Sequence, residues 1–169
     1  MDKTFLDVLV EYPAIAMQKI GSNQKVVEFL TNIKGIDMSG DEAAEIYSKN
    51  MFDFGFVPQT VDEASAYICV ETNMIKAPTP TMQNMRMYVT VVCHNNFMGI
   101  DTSVFKGIVG NRRDNLARCV DNILNGSEVF GIGRLKLESA MVVAAPAGFS
   151  ARELTYSISD FKKKAGVGR

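Results

Sequence analysis

The clearest periodic pattern of apolar and polar residues lies between Gly110 and Gly126, and it predicts an amphipathic α-helix. Asn111 is the expected N-cap, Asn125-Gly126 the expected end, and Asp114 is expected to pair with Arg118 one turn later. The apolar face consists of Leu116, Cys119, Val120, Ile123 and Leu124. The opposite, exposed face is expected to carry Arg112, Arg113, Asn115, Arg118, Asp121 and Asn122.

Alternating apolar residues on both sides of this helix predict four β-strands, at 66–72, 85–94, 135–145 and 154–161. Because the strands occur as two pairs separated by a helix, we expect a mainly antiparallel sheet with the helix packed on one face. The residues expected to share one face within a strand are Met85, Met87, Val89, Val91 and Cys93; Leu135, Leu137, Met141 and Val143; and Leu154, Tyr156 and Ile158.

The first 50 residues predict a helical N-terminal part. A stripe formed by Phe5, Leu6, Leu9 and Val10 breaks at Pro13, where a new helix is expected to begin. The whole pattern predicts an α+β fold in the order helices, β-hairpin, helix, β-hairpin. We expect a single domain over 1–161, with a helical part at 1–50 and a sheet-and-helix core at 66–161, followed by a basic flexible tail at 162–169.

Two segments outside these patterns are candidates for contacts with other chains. Residues 51–58 are dense in aromatic residues and glycine, which indicates an ordered loop or short strand. Local core filling and a subunit contact both remain open for this segment. Residues 73–84 include Pro78 and Pro80, so they predict a long loop that projects between the first two strands.

The composition narrows the function classes. A formal net charge of −1 over 169 residues does not favour a global attraction to nucleic acid or to an anionic membrane. No apolar run approaches the roughly 20 residues that span a bilayer, and the N-terminus does not resemble a signal peptide. Cys69, Cys93 and Cys119 are widely spaced, which favours three small buried side chains over a disulfide, redox or metal role.

No motif in the chain predicts a reaction centre. His94 is the single histidine, and in a strand its side chain points away from that of Cys93. The glycines at 107 and 110 precede a helix but lack the Gly-Lys-Ser/Thr of a phosphate-binding loop. The acidic residues show no spacing that demands a metal ion. We therefore expect a non-catalytic protein with no cofactor and no metal.

Three runs carry a resemblance to a known family: GNRRDNLARCVDNILNG at 110–126, FGIGRLKLES at 130–139 and LTYSISDF at 154–161. They resemble small neck and tail-completion proteins of tailed bacteriophages and phage-tail-like particles, whose tail terminators typically order their elements as helix, strand pair, helix, strand pair. The similarity in organisation covers Tyr67 to Phe161. The longer N-terminal part and the Pro/Thr segment depart from compact terminators, so a stopper or another connector component remains an alternative.

The resemblance implies a structural virion protein, made in the host bacterial cytoplasm, that forms a homo-oligomeric and commonly hexameric ring. Such a tail terminator caps the tail tube and takes part in head–tail joining. Its partners would be copies of itself, tail-tube and neck proteins, and non-specific DNA in the lumen, with no membrane. The expected contact residues are Phe52, Phe54, Phe56, Pro78, Pro80, Arg112, Arg113, Lys162, Lys163 and Lys164.

Two further alternatives remain open. Arg112 and Arg113 would either face the DNA passage or pair with acids of the next subunit. The protein would otherwise be an intracellular ligand-binding domain, using His94 and Arg86 with a carboxylate in one pocket, or a nucleic-acid-binding domain.

Overall fold

A five-stranded sheet covered on one face by helices is the architecture of the computed structural model, which describes residues 5–55, 65–76 and 82–161. This confirms the predicted α+β fold class. The helices are α1 (Phe5–Gly21), α2 (Gln24–Thr31), α3 (Asp41–Asn50) and α4 (Arg112–Leu124), with a 3₁₀ turn at Asn95–Phe97. The strands are β1 (Met51–Phe52), β2 (Ala66–Lys76), β3 (Met82–His94), β4 (Ile132–Val143) and β5 (Phe149–Phe161).

The strands lie side by side in the order β1-β2-β3-β5-β4. β1 runs parallel to β2, and the other three pairings are antiparallel, as the predicted hairpins require. The connection from β3 to β5 passes through α4 and β4, so the second hairpin folds back to place β5 between β3 and β4. The two lateral edges are therefore β1 and β4.

One face of the sheet forms the main hydrophobic core with all four helices, and we call it the covered face. On β3 the predicted stripe from Met85 to Cys93 is buried to 1% exposure or less, which confirms the assignment. Leu154, Tyr156 and Ile158 on β5 belong to the same core, also as predicted. The helices contribute Val8, Ala16, Ile20, Val26, Leu30, Ile46, Leu116, Val120 and Leu124, among others.

The N-terminal helix departs from its prediction. α1 continues through Pro13 to Gly21, so the expected break is wrong. Leu6 and Val10 are 66% and 70% exposed, whereas Val8 and Tyr12 are buried. Leu9 packs against the core as the predicted stripe requires, but Leu6 and Val10 do not. The face of a helix that becomes buried is decided by the sheet beneath it.

The expected long loop at 73–84 is largely strand. Asn73 pairs with Arg86 and Met74 with Met85, and a register shift follows before Lys76 pairs with Asn84. Polar residues are acceptable in this part of the hairpin because backbone pairing does not depend on the side chain. Pro78 and Pro80 lie outside the described residues.

β4 contains an irregularity that changes which side chains share a face. Leu137 lies opposite Tyr156, and the register shifts between Leu137 and Ser139. Beyond the shift Ala140 lies opposite Leu154, a residue of the covered face, while Met141 lies opposite Glu153. One extra residue in a strand reverses the alternation after it. The prediction that Met141 and Val143 share a face with Leu135 and Leu137 is therefore wrong.

The ends and apolar residues of α4 match most of the prediction. The Asn111 side chain accepts a hydrogen bond from the Asp114 N–H at 2.8 Å, which confirms the N-cap. At the C-terminus only Gly126 adopts a left-handed conformation, at φ +82°. Leu116, Val120 and Leu124 are buried, and Cys119 and Ile123 are half-buried against the core.

The polar face of α4 was assigned wrongly at its first turn. Arg112, Arg113 and Asn115 are 2%, 9% and 4% exposed, although they were expected in solvent. The expected Asp114–Arg118 ion pair is also absent from the described contacts: Arg118 donates to Asn115 Oδ1 at 2.7 Å. Neighbouring loops and β5 surround this end of the helix, and their oxygen atoms accept from the arginines.

Candidate interaction surface

The face of the sheet opposite the helices carries a second, smaller apolar cluster that crosses all five strands. It consists of Phe52 on β1, Tyr67 on β2, Val92 on β3, Ala151 and Phe149 on β5, Val143 on β4, and Ala145. We call this set the apolar band. No described helix contributes a residue to it. Tyr67, Val92 and Ala151 are nonetheless buried, at 9%, 6% and 2% exposure, and the other members are partly buried.

Aromatic rings hold the band together at the β1 side. Phe52 contacts Phe54 edge-to-face with ring centroids 5.5 Å apart, and it lies 6.3 Å from Tyr67. Tyr67 is followed by Phe149 at 6.4 Å, and Phe149 by His94 at 5.0 Å. Such rings bring a large contact area at fixed geometry. Phe54 is 51% exposed, and the predicted contact residues Phe52 and Phe54 lie together at one lateral edge.

The β4 edge of the sheet presents a second exposed apolar surface. Met141 and Val142, which lie on opposite faces of this strand, are 62% and 59% exposed. The start of β4 is protected on its outer side, because Leu135 exchanges backbone hydrogen bonds with Gly126 and Ser127. No described loop pairs in this way with residues 139–143. An unprotected strand edge with apolar side chains is a ready site for another chain.

Arg112 lies inside the fold and uses its guanidinium on its own chain. It donates to the carbonyl oxygens of Phe29, Phe97 and Gly99 at 2.8–2.9 Å, and to Asn32 Oδ1 at 2.8 Å. Its guanidinium carbon also lies 3.9 Å from the centroid of the Phe97 ring. Burial lowers the pKa of Arg112. The residue joins the C-terminus of α2, the 97–99 loop and the start of α4. Its positive charge is favourable at the C-terminus of α2, where the helix dipole is negative.

Arg113 is engaged in a neighbouring polar cluster with Asp114. Asp114 Oδ1 accepts from Arg113 Nε and from Arg152 Nε, each at 2.8 Å, while Arg113 also donates to Ser150 Oγ. Burial raises the pKa of Asp114, but hydrogen bonds from Arg113, Arg152 and Asn111 outweigh this and hold its pKa well below the usual range. The acid that Arg113 pairs with therefore belongs to its own chain.

The groups considered for chemistry do not converge. Arg86 pairs with Glu138 at 2.8 Å, and His94 lies eight residues further along β3, roughly 26 Å away. The Nδ1 atom of His94 accepts from the Asn96 N–H and caps the 3₁₀ turn. Burial raises the pKa of the Cys93 thiol to about 11. Within the described ranges, no three His, Cys, Asp or Glu residues lie together as metal ligands.

The remaining sequence-predicted contact residues, Phe56, Pro78, Pro80, Lys162, Lys163 and Lys164, lie outside the described residues. The sequence does not predict the positions of Tyr67 and Phe149 in the apolar band or of Met141 and Val142 at the β4 edge. Their only signal was the mixed second face of the strands, and the pairing of β4 with β5 was needed to interpret it. Among the helices that are described, none has the length and apolar character needed to cross a membrane.

Comparison with known proteins gives one result for the chain as a whole. A search of curated proteins finds no match. A protein-family model described as YomW matches residues 23–158, from the N-cap of α2 almost to the end of β5. Because this match covers most of the 169 residues, the chain belongs to the YomW family.

Proposed function

We propose that this protein is a structural component of the neck or tail of a tailed phage or phage-tail-like particle. In this proposal it is a tail terminator that assembles into a closed ring, caps the tail tube and contacts the head connector. The observation that carries the proposal is the presence of exposed apolar side chains at both lateral edges of the sheet, Phe54 beside β1 and Met141 with Val142 on β4.

The positions of the two edges suit a ring built from identical subunits. Each subunit of a closed head-to-tail ring needs two different patches that complement one another, and the patches must lie on opposite sides. The strand order places β1 and β4 at opposite ends of the sheet. Exposed apolar patches on a soluble chain commonly mark contacts with other proteins. The β1 edge would then dock on the β4 edge of the next subunit.

The phage setting rests on two supports of different kinds. The three sequence runs described above resemble neck and tail-completion proteins, and YomW is a name of the form given to Bacillus prophage genes. The proposal includes tail-tube and neck proteins as partners, a place in the virion, and assembly in the host cytoplasm. A stopper or another connector component is the second candidate, because it would use the same two edges.

The proposed DNA contact in the lumen cannot depend on the two arginines first considered for it. Arg112 and Arg113 are buried and bind groups of their own chain. DNA that slides through a ring is best served by weak contacts spread over the surface. We therefore propose that no single arginine of α4 has a dedicated DNA-binding role.

Native mass spectrometry of the purified protein, alone and with tail tube, tests the ring. We expect a closed oligomer, commonly of six subunits, for the natural sequence. Phe54→Ser and Met141→Lys should each prevent closure, because each removes one of the two edges. Val129→Lys is the matched control, since Val129 is 48% exposed and lies outside both edges.

Mixing the two edge variants gives the sharper result. Met141→Lys retains the β1 edge and Phe54→Ser retains the β4 edge, so one sound contact forms between them and heterodimers should appear. Neither variant alone should form dimers. A natural protein that stays monomeric with and without tail tube would overturn the proposal, as would full rings from either variant.

A further inference from the structure

A cavity of about 390 Å³ on the helix side of the molecule is lined by an unusual set of charges. It lies between α2, α4 and the loops that follow α2 and precede α4. Its cationic side chains are Lys25, Lys34, Lys106 and Arg118, and its single carboxylate is Glu28. Four cations and one carboxylate give a local formal charge of +3 in a chain whose formal net charge is −1.

The cations of this cavity are free to meet a ligand. Within the described ranges, the side-chain ammonium groups of Lys25, Lys34 and Lys106 form no ion pair and donate no hydrogen bond. Glu28 is already occupied, because its Oε1 accepts from the Gly35 N–H at 3.1 Å and from Gln24 Nε2 at 3.3 Å. Like charges held around one concavity repel each other, and an anion between them relieves that repulsion.

One of the cations is held in position. Arg118 donates to Asn115 Oδ1 at 2.7 Å. The amide of Asn115 is itself oriented, because its Nδ2 donates to the carbonyl oxygens of Val109 and Asn111, both at 2.9 Å. Asn115 therefore holds Arg118 in position. These hydrogen bonds also explain why Asn115 is only 4% exposed, on a face of α4 that is expected to be solvated.

The base of the cavity is aromatic. Phe29 and Phe105 stack nearly parallel, with ring centroids 4.7 Å apart, and Lys34 Nζ lies 5.7 Å from the Phe105 centroid. The volume is within the range of about 300–1,000 Å³ typical of small-molecule sites. A larger cavity of about 460 Å³ between α1 and α3 has no Lys, Arg, Asp or Glu in its lining, so size alone does not select the basic one.

We propose that this cavity, which we call the basic pocket, binds a small phosphorylated ligand of about nucleotide size. Duplex DNA fits the arrangement less well, because a backbone track needs cations spaced along a groove. The adjoining cavity of about 400 Å³ has Lys25 as its single cation, so the positive charge is concentrated at one end. The basic pocket lies on the helix side and the apolar band on the other face of the sheet, so the two proposals can fail independently.

Isothermal titration calorimetry with ADP, pyrophosphate, inorganic phosphate and adenosine tests the basic pocket. We expect ADP, pyrophosphate or both to bind at one per chain, and adenosine not to bind. Stronger binding of ADP than of pyrophosphate would assign a contact to the nucleoside. Equal binding would assign recognition to the phosphates alone.

The double variant Lys34→Gln, Lys106→Gln should weaken binding by about tenfold or more, since two contact charges are removed. Its melting temperature should be unchanged because both side chains are exposed. Lys136→Gln, an exposed lysine on β4, is the matched control and should bind normally. Three results would overturn the proposal: no binding of any phosphate compound at millimolar concentration, an equal loss in the control, or retention of duplex DNA without binding of the small anions.

Discussion

The two faces of the sheet differ in their side chains and in the elements that cover them. The covered face is aliphatic and rich in methionine, and α1, α2 and α4 bury it so fully that Met87 and Val89 have no exposed surface. The apolar band on the other face is smaller and partly aromatic; Tyr67, Val92 and Ala151 are buried in it and its other members are partly buried. At the two lateral edges of the sheet, Phe54 and Met141 are more than half exposed. The first face accounts for the stability of the single chain. The two lateral edges of the sheet, where Phe54 and Met141 are exposed, are the surfaces through which we expect copies to meet.

Neighbouring arginines repeat this contrast on a smaller scale. Arg112 closes contacts among three segments of its own chain, and Arg113 pairs with Asp114 beside β5. Arg118, one turn later on α4, instead points to the basic pocket. Three arginines in the same helix therefore divide between internal support and an exposed site.

The largest effect should follow a charge placed in the covered face. Val120→Asp puts an unpaired carboxylate at a position with no exposure, at a cost of about 3–5 kcal/mol. Because domains are stable by about 5–15 kcal/mol, this cost removes a large part of the stability, and we expect a strongly lowered melting temperature or aggregation, as circular dichroism and thermal melting would show. Asn122→Asp on the exposed side of α4 is the control. Normal melting of Val120→Asp would mean that the buried face of α4 has been misidentified.

Loss of Arg112 should have the next largest effect. Arg112→Met leaves four acceptors without their donor: the bond to the Phe29 carbonyl oxygen is buried, and those to Phe97, Gly99 and Asn32 are part-buried. A buried acceptor left unpaired costs about 1–3 kcal/mol, and a part-buried acceptor costs less because water can replace the lost donor. We expect urea denaturation to show a loss of about 3 kcal/mol. Arg134→Met is the control, because Arg134 is an exposed residue paired with Glu128. Arg112→Lys should not restore stability, since an ammonium cannot reach four separated acceptors. Equal stability of the Arg112 and Arg134 variants would contradict the internal role.

Two glycines, Gly131 just before β4 and Gly133 within it, can be used to test how closely this strand approaches β5. Gly131 and Gly133 both have positive φ, at +68° and +81°. A Cβ at Gly131 would overlap the Ser159 carbonyl oxygen, whereas one at Gly133 would meet no atom within 4 Å. We expect Gly133→Ala to cost about 1–2 kcal/mol from backbone strain alone, and Gly131→Ala to cost clearly more. Equal shifts in chemical denaturation would show that the strand moves aside easily.

Substitutions at the two lateral edges of the sheet should affect stability far less than substitutions in the covered face. At concentrations where the protein is monomeric, Phe54→Ser and Met141→Lys should each change the free energy of unfolding by less than about 1 kcal/mol, since both side chains are mostly exposed. Their effect should appear in assembly instead. A large loss of monomer stability in either variant would mean that the substituted edge residue belongs to the core of the single chain.

The smallest effect concerns pH and Asp114. Its lowered pKa means that Asp114 stabilises the fold fully above its unfolded pKa of about 3.9, and that this contribution is lost as the pH falls through the folded value. Asp114→Asn should therefore be less stable than the natural protein at pH 6 and approach it in strong acid. Urea titrations at pH 6, 4 and 3 measure this convergence. A constant difference at all three values would assign the effect to packing.

Much of the fold was predictable because its signals are local. The stripe on β3, the apolar residues of β5 and the Asn111 cap were all found from spacing, since each depends on residues within one element. The band was not found as a surface. Phe52, Tyr67 and Phe149 come from three separate parts of the chain and meet only because β2, β3 and β5 pair in one register.

The sequence by itself determined most of the elements, because periodicity and capping act over a few residues. It did not predict that α1 continues through Pro13 or that residues 73–76 belong to β2. Only the tertiary structure decided which side of α1 is buried, where the arginines of α4 lie, and that one extra residue in β4 turns Met141 to the uncovered face. Burial depends on which elements pack together, and hydrogen-bond acceptors such as the Phe29 carbonyl reach Arg112 from 83 residues away. No local pattern contains that information.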